Sequence, residues 1–137
     1  MRLSQGVVMS ENVNGTALDG YSVTGGFISN PVSLKHVYGY SVSVSWSGNP
    51  SGTFQLEGCN DIESPTDYAP FYPSLFNWVL IANSAQLASA GAAIAPATNP
   101  CLIWNIPDAM YRFVRLHYVY TSGTMQVSAR LQMKAGE

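Results

Sequence analysis

The stretch YGYSVSVSWS, residues 38–47, decides the fold class. Large residues alternate with small polar ones at a period of two, a pattern typical of an antiparallel strand with one face in the core and one in solvent. The alternation therefore predicts a half-buried strand. Its predicted core side chains are Tyr38, Tyr40, Val42, Val44 and Trp46.

The residues that follow predict two β-hairpins. The turn sequence GNPSG, residues 48–52, leads into TFQLEGC, residues 53–59, where the alternation resumes. The C-terminal third repeats this design. Residues 110–121 carry aromatic and β-branched side chains on both faces, which indicates a central strand, and the turn at 121–124 leads into an alternating strand over 125–134.

Shorter apolar runs bounded by Asn, Gly, Asp or Pro predict further strands near residues 7–9, 21–23, 25–28, 78–81 and 101–106. The Ala-rich segment 82–97 fits either a helix or an extended strand. About seven or eight short strands with frequent turns indicate an all-β antiparallel β-sandwich, jelly-roll-like, formed by residues 1–137 as a single domain. The order of the strands within the sheets does not follow from the pattern.

Charge is scarce in this chain. Only 10% of residues are Asp, Glu, Lys or Arg, against about 25% in an ordinary soluble domain. Hydroxyls and amides cost less to desolvate than charges, so such a surface favours contact with other proteins. The net charge of −2 argues against nucleic-acid binding through clustered cations. No apolar run predicts a membrane helix, and the N-terminus lacks a signal-peptide pattern.

No constellation of residues predicts catalysis. The sequence contains no nucleophile elbow, zinc-binding helix motif or phosphate-binding glycine loop. Of its two histidines, His36 precedes the first clear strand, and His117 is expected to share a strand face with Arg115 as a surface or interface residue. We therefore expect no catalytic residue, no cofactor and no enzymatic activity.

Two further groups of residues are candidates for a metal site and for a disulfide. Oxygen ligands close together on a loop suit calcium, but their spacing here does not match the EF-hand loop, and solvated loops are often acidic, so we expect no metal. The candidate ligands are Glu57, Asn60, Asp61, Glu63 and Asp67. The sequence leaves open whether Cys59 and Cys101 form a disulfide; two buried free thiols are favoured.

Aromatic residues cluster around prolines between the predicted hairpins. They either cover one end of the sandwich, anchor a protein interface or stack on sugar rings, because aromatic side chains bury a large area at little entropic cost. With His117 they form the candidate interface. The residues are Tyr68, Phe71, Tyr72, Phe76, Trp78 and His117.

Two segments carry a resemblance to known proteins. One runs from VSWSG, residues 44–48, to GTFQLEGCND, residues 52–61; the other joins YRFVRLHY, residues 111–118, to TSGT, residues 121–124, and RLQMK, residues 130–134. Together with Trp78 and Trp104 they resemble small virion proteins of tailed bacteriophages, in particular capsid decoration (cement) and fibre-type β-sandwich proteins. The resemblance covers roughly residues 38–136.

The resemblance implies a structural protein of the virion, assembled in the host cytoplasm, whose partner is the major capsid protein and which forms a dimer or trimer. The same segments are also similar to discoidin-like sandwiches, in which the acidic loop and the aromatics would form the ligand-binding end. Those modules are often tied by disulfides and secreted, whereas this sequence shows no export-signal pattern. The alternative function is therefore a tail- or surface-associated module that binds carbohydrate or a receptor.

Overall fold

The computed structural model describes residues 3–60, 78–81, 86–88 and 101–135, and within them every regular element is a β-strand. Two antiparallel sheets form a β-sandwich, which confirms the predicted fold class. The strands are β1 (Leu3–Val8), β2 (Asp19–Val23), β3 (Phe27–Ile28), β4 (Val32–Ser33), β5 (Val37–Gly48), β6 (Ser51–Cys59), β7 (Val79–Leu80), β8 (Gln86–Ala88), β9 (Cys101–Ile106), β10 (Phe113–Ser122) and β11 (Met125–Ala135).

Each sheet is built around two long neighbouring strands. In the first sheet, β11 lies between β5 and the pair β1 and β2, and β9 continues the sheet beyond β5. In the second sheet, β10 lies between β6 and the pair β3 and β4, while β7 and β8 pair with the other side of β6. The described residues form eleven strands, more than the seven or eight predicted; seven have five residues or more, and the other four have two or three.

The two predicted hairpins are wrong, because each of these turns carries the chain from one sheet to the other. β5 pairs with β11, and β6 pairs with β10, so the four strands form one antiparallel ribbon folded over at a corner. At that corner the backbone NH of Asn49 donates to the carbonyl oxygen of Thr124 at 3.0 Å. The turn chemistry is correct, but alternation along a strand does not reveal which strand it pairs with.

Gly123 makes the corner possible. Its φ of +86° lies in the left-handed region, and a Cβ there would be 2.0 Å from the carbonyl oxygen of Asn49. Only glycine meets both conditions without strain. The corner thus depends on close contact between the two crossing turns.

The core lies between the sheets and follows the predicted alternation. Trp46 of the first sheet packs against Phe54 of the second with ring centroids 5.4 Å apart, and Phe54 contacts Tyr118 at 4.8 Å. These aromatic contacts join the two layers. The predicted core side chains of β5 that are buried are Tyr40, Val42, Val44 and Trp46, and the alternation along β11 buries Met125, Val127, Ala129 and Leu131.

Tyr38 and Cys101 are exposed, contrary to prediction. Tyr38 is 63% exposed because the pairing of β5 with β11 shifts register between Lys134 and Ala135, and this irregularity interrupts the alternation. Cys101 points outward at the start of β9, whereas Cys59 is buried, and both thiols are free. The preference for free thiols is confirmed, but only Cys59 is a buried one.

Candidate docking surfaces

The outward side of the second sheet carries a row of polar side chains across its two central strands. Arg115 pairs with Glu57 and His117 pairs with Gln55 in the register of β10 and β6. Residues directly opposite each other in an antiparallel pair point to the same side of the sheet. The core-facing neighbours Leu56 and Leu116 are fully buried, so these four polar residues face away from the core.

Glu57 is the centre of this cluster. Its Oε1 accepts from Nε of Arg115 at 2.7 Å, and its Oε2 accepts from Nε2 of Gln55 at 2.8 Å. Nδ1 of His117 lies 2.9 Å from Oε2. An ionised carboxylate only accepts hydrogen bonds, so Nδ1 must carry the proton in this contact. Both Glu57 and Arg115 are only 9% exposed, and the cluster is therefore a buried ion pair with two additional donors.

This environment holds Glu57 ionised. Burial by itself raises the pKa of Glu57, but hydrogen bonds from His117, Arg115 and Gln55, together with the charge of Arg115, outweigh it and lower the pKa from 4.5 to about 2. A carboxyl group with that pKa is a poor proton donor or acceptor near neutral pH. The cluster is suited to positioning side chains rather than to acid–base chemistry.

Trp78 covers the cluster from one side. The guanidinium carbon of Arg115 lies 4.1 Å from the centroid of the Trp78 ring, a cation–π arrangement. The same ring packs against Cys59 and Phe113, which pair with each other at the end of the strands. Its Nε1 is buried and has no acceptor in the described part of the chain.

Of the six predicted interface residues, the structure brings Trp78 and His117 to the same side of the second sheet, where both contact the Glu57–Arg115 pair. The prediction that His117 shares a face with Arg115 is confirmed, because both side chains contact the Glu57 carboxylate. The other four residues, Tyr68, Phe71, Tyr72 and Phe76, lie outside the described residues.

Sequence reasoning missed the Glu57–Arg115 pair. The signal was present, because a charge in the middle of a strand with apolar neighbours on both sides is rarely buried without a partner. What the sequence could not supply was the pairing of β6 with β10, which places these two charges opposite each other.

Half-exposed apolar side chains flank the cluster. Leu80 on β7 pairs with Glu57 and is 51% exposed, and Val119 on β10 pairs with Thr53 and is 42% exposed. We call this outward side of the second sheet the Glu57 face; its members are Thr53, Gln55, Glu57, Cys59, Trp78, Leu80, Phe113, Arg115, His117 and Val119.

The outward side of the first sheet has a different composition. On its three neighbouring strands β9, β5 and β11, the outward positions hold hydroxyl and amide side chains except at Cys101 and Ile103 of β9 and at two charged residues, Arg130 and Lys134. Ile103 is the most exposed apolar side chain there, at 71%. We call this side the serine face; its members are Ser41, Ser43, Ser45, Ser47, Cys101, Ile103, Asn105, Gln126, Ser128, Arg130, Gln132 and Lys134.

The candidate calcium ligands are only partly described. Glu57 is occupied by Arg115, His117 and Gln55, and Oδ1 of Asn60 accepts from the backbone NH of Arg112 at 2.9 Å. Asp61, Glu63 and Asp67 lie outside the described residues. Within the described ranges, no group of three or more His, Cys, Asp or Glu side chains could hold a metal ion.

The described part of the chain has no helix long and apolar enough to cross a membrane. No protein-family model and no curated protein matches the sequence. Among solved structures, the chain is similar to the SPBc2 prophage-derived protein YomS, with a TM-score of 0.49, 13% sequence identity, and coverage of 98% of this chain and 96% of that chain. Similarity at this level is too low to transfer a function.

Proposed function

We propose that this protein is a non-enzymatic bacteriophage virion protein, a capsid decoration (cement) protein that binds and stabilises the lattice of the major capsid protein through its Glu57 face. The observation that supports this docking surface is that half-exposed Leu80 and Val119 flank two charges, Glu57 and Arg115, that are already paired with each other. The virion context is supported by the resemblance of residues 38–136 to small virion proteins.

The Glu57 face suits a protein partner on energetic grounds. Protein interfaces have apolar and aromatic centres from which unpaired charges are depleted. Glu57 and Arg115 already satisfy each other at 2.7 Å and are largely desolvated in the isolated chain. Docking a partner over them therefore adds little desolvation cost, while Leu80 and Val119 gain buried apolar area.

The proposed mechanism is physical. A protein that binds only the assembled lattice stabilises that lattice by mass action. A stable contact of this kind buries on the order of 1,600 Å², and a dimer or trimer of the chain would add avidity by engaging several lattice sites at once. Such a protein resides in the virion after assembly in the host cytoplasm.

The first experiment counts copies of the chain in purified particles of the phage that encodes it, by quantitative mass spectrometry. A decoration protein is expected at hundreds of copies, in fixed proportion to the major capsid protein. A handful of copies would overturn the decoration role and place the chain at a tail or vertex. Complete absence would overturn the virion assignment.

A matched pair of variants tests the docking face. Val119→Glu places a charge on the Glu57 face, and Ile103→Glu places the same charge on the serine face. We expect Val119→Glu to weaken co-sedimentation with capsids assembled from the major capsid protein alone by at least about tenfold, or about 1.4 kcal/mol. Ile103→Glu should bind like the parent. Equal loss in both variants, or loss only in Ile103→Glu, would reject the Glu57 face as the docking surface.

A further inference from the structure

A groove of about 320 Å³ opens at one end of the serine face, on the side of the sandwich opposite the proposed docking surface. Its polar lining comes from β5, β9 and β11. The lining residues used below are Tyr38, Gly39, Ser41, Asn105, Gln132 and Lys134. The volume lies at the lower end of the range for small-ligand sites.

Irregular backbone at the start of β5 shapes this groove. The register shift beside Tyr38 leaves its side chain 63% exposed at the groove. The next residue, Gly39, has no side chain, and a Cβ there would lie 2.7 Å from the carbonyl oxygen of Pro107. The absence of a Cβ at Gly39 therefore allows close backbone packing where the exposed Tyr38 ring begins.

A row of polar groups crosses the groove beside Tyr38. Ser41 pairs with Asn105 on one side and with Gln132 on the other, so one hydroxyl lies between two primary amides. Neighbouring strands are about 4.8 Å apart, which gives the row a span of about 10 Å. Each amide offers both a donor and an acceptor, and a hydroxyl offers the same.

Among the described residues that line the groove there is no carboxylate, and Lys134 is the one charged group among them. An exposed aromatic ring beside planar amides and a hydroxyl matches a ligand with an apolar ring face and many hydroxyls. Lys134 adds a site for an anionic substituent. We propose that this groove binds a saccharide, with the Tyr38 ring against a sugar face, Asn105, Ser41 and Gln132 at its hydroxyls, and Lys134 at a carboxylate of an acidic sugar.

This site differs from the aromatic cluster that the sequence singled out for sugar binding. It also does not depend on capsid docking, because the two surfaces belong to opposite sheets of the sandwich. A particle-bound copy would hold the partner on the Glu57 face and present the groove outward.

The test uses a glycan microarray that displays neutral and uronic-acid-containing oligosaccharides, followed by isothermal titration with the best binder. The full chain should bind at least one acidic glycan above background. Tyr38→Ala should abolish the signal. Lys134→Gln should weaken the binding of acidic glycans at least about fivefold and leave the binding of their neutral counterparts unchanged. Gln126→Ala, at the other end of the serine face, should bind like the parent.

Because Tyr38 and Lys134 are exposed, we expect both variants to fold. The melting curve of each variant is compared with that of the parent. Absence of binding by the parent to every glycan on the array would overturn the proposal. Binding that survives Tyr38→Ala in a folded protein would also overturn it, because the sugar would then lie elsewhere.

Discussion

The two outward faces of this sandwich belong to the same folded ribbon, but one buries its arginine in an ion pair and the other leaves its arginine exposed. Arg115 on the Glu57 face is 9% exposed and paired with Glu57 at 2.7 Å. Arg130 on the serine face is exposed, and its cross-strand neighbour on β5 is Ser43. The comparison shows that a strand can bury an arginine when its partner strand supplies a carboxylate at the paired position.

The largest expected difference between the faces is in the stability lost when the arginine of each face is replaced by alanine. Arg115→Ala would leave the Glu57 carboxylate buried without its cationic partner, which typically costs about 3–5 kcal/mol of the free energy of unfolding. Arg130→Ala removes an exposed charge and should change stability by less than about 0.5 kcal/mol. Urea denaturation of both variants measures the difference.

Arg115→Lys serves as an intermediate control for the arginine pair. It keeps a positive charge near Glu57 but loses the planar guanidinium that lies 4.1 Å from the Trp78 ring centroid. Its loss of stability should fall between the two alanine variants. Equal stability of Arg115→Ala and Arg130→Ala would mean that the Glu57 cluster contributes nothing to the fold.

Acidic pH should lower the free energy of unfolding, because Glu57 on the Glu57 face loses its charge. The pKa of Glu57 is about 2 in the folded protein and 4.5 in its ordinary state, so the unfolded chain takes up this proton first as the pH falls. The stabilisation is fully present above pH 4.5 and is lost as the pH falls towards 2, with a total of about 3 kcal/mol.

Glu57→Gln provides the reference for this acid effect, because it retains a hydrogen-bonding side chain without the titrating group. The stability difference between the parent and Glu57→Gln, measured by thermal or urea unfolding, should be constant above pH 4.5 and shrink below it. A difference that stays constant down to pH 2.5 would contradict the lowered pKa of Glu57.

The sequence predicted the inner faces of the long strands well and their partners poorly. Period-two alternation identified the buried side of β5 and β11, because one-sided burial forces that pattern on the residues themselves. The corner at Gly123 and a hairpin use the same kinds of turn residue, so the sequence could not distinguish a turn that connects two sheets from a turn within one sheet. Tyr38 was misplaced for a related reason, since an irregular register is a property of two strands together.

The candidate site was predictable only in its parts. The positions of Trp78 and His117 were recognised as interface candidates, and His117 was correctly placed beside Arg115. The partner of Arg115, however, lies 58 residues away, and Glu57 was grouped instead with the acidic residues that follow it in sequence. Proximity along the chain placed Glu57 among possible calcium ligands, although no metal was expected, whereas strand pairing makes Glu57 half of an ion pair.

The smallest effect is expected from a pair of glutamines, one on each face. Gln55 donates to Glu57 at 2.8 Å, and hydrogen bonds to charged groups stabilise proteins more than neutral ones do. Because Gln55 is partly exposed and Arg115 and His117 remain, Gln55→Ala should cost about 1 kcal/mol. Gln126 is exposed on the serine face, and Gln126→Ala should cost less than about 0.5 kcal/mol.

A double-mutant cycle of Gln55→Ala with Glu57→Gln, measured by urea unfolding, isolates the contact between Gln55 and Glu57. A coupling energy near zero would show that Arg115 and His117 alone satisfy the Glu57 carboxylate, and the contrast between the two faces would then reduce to the ion pair.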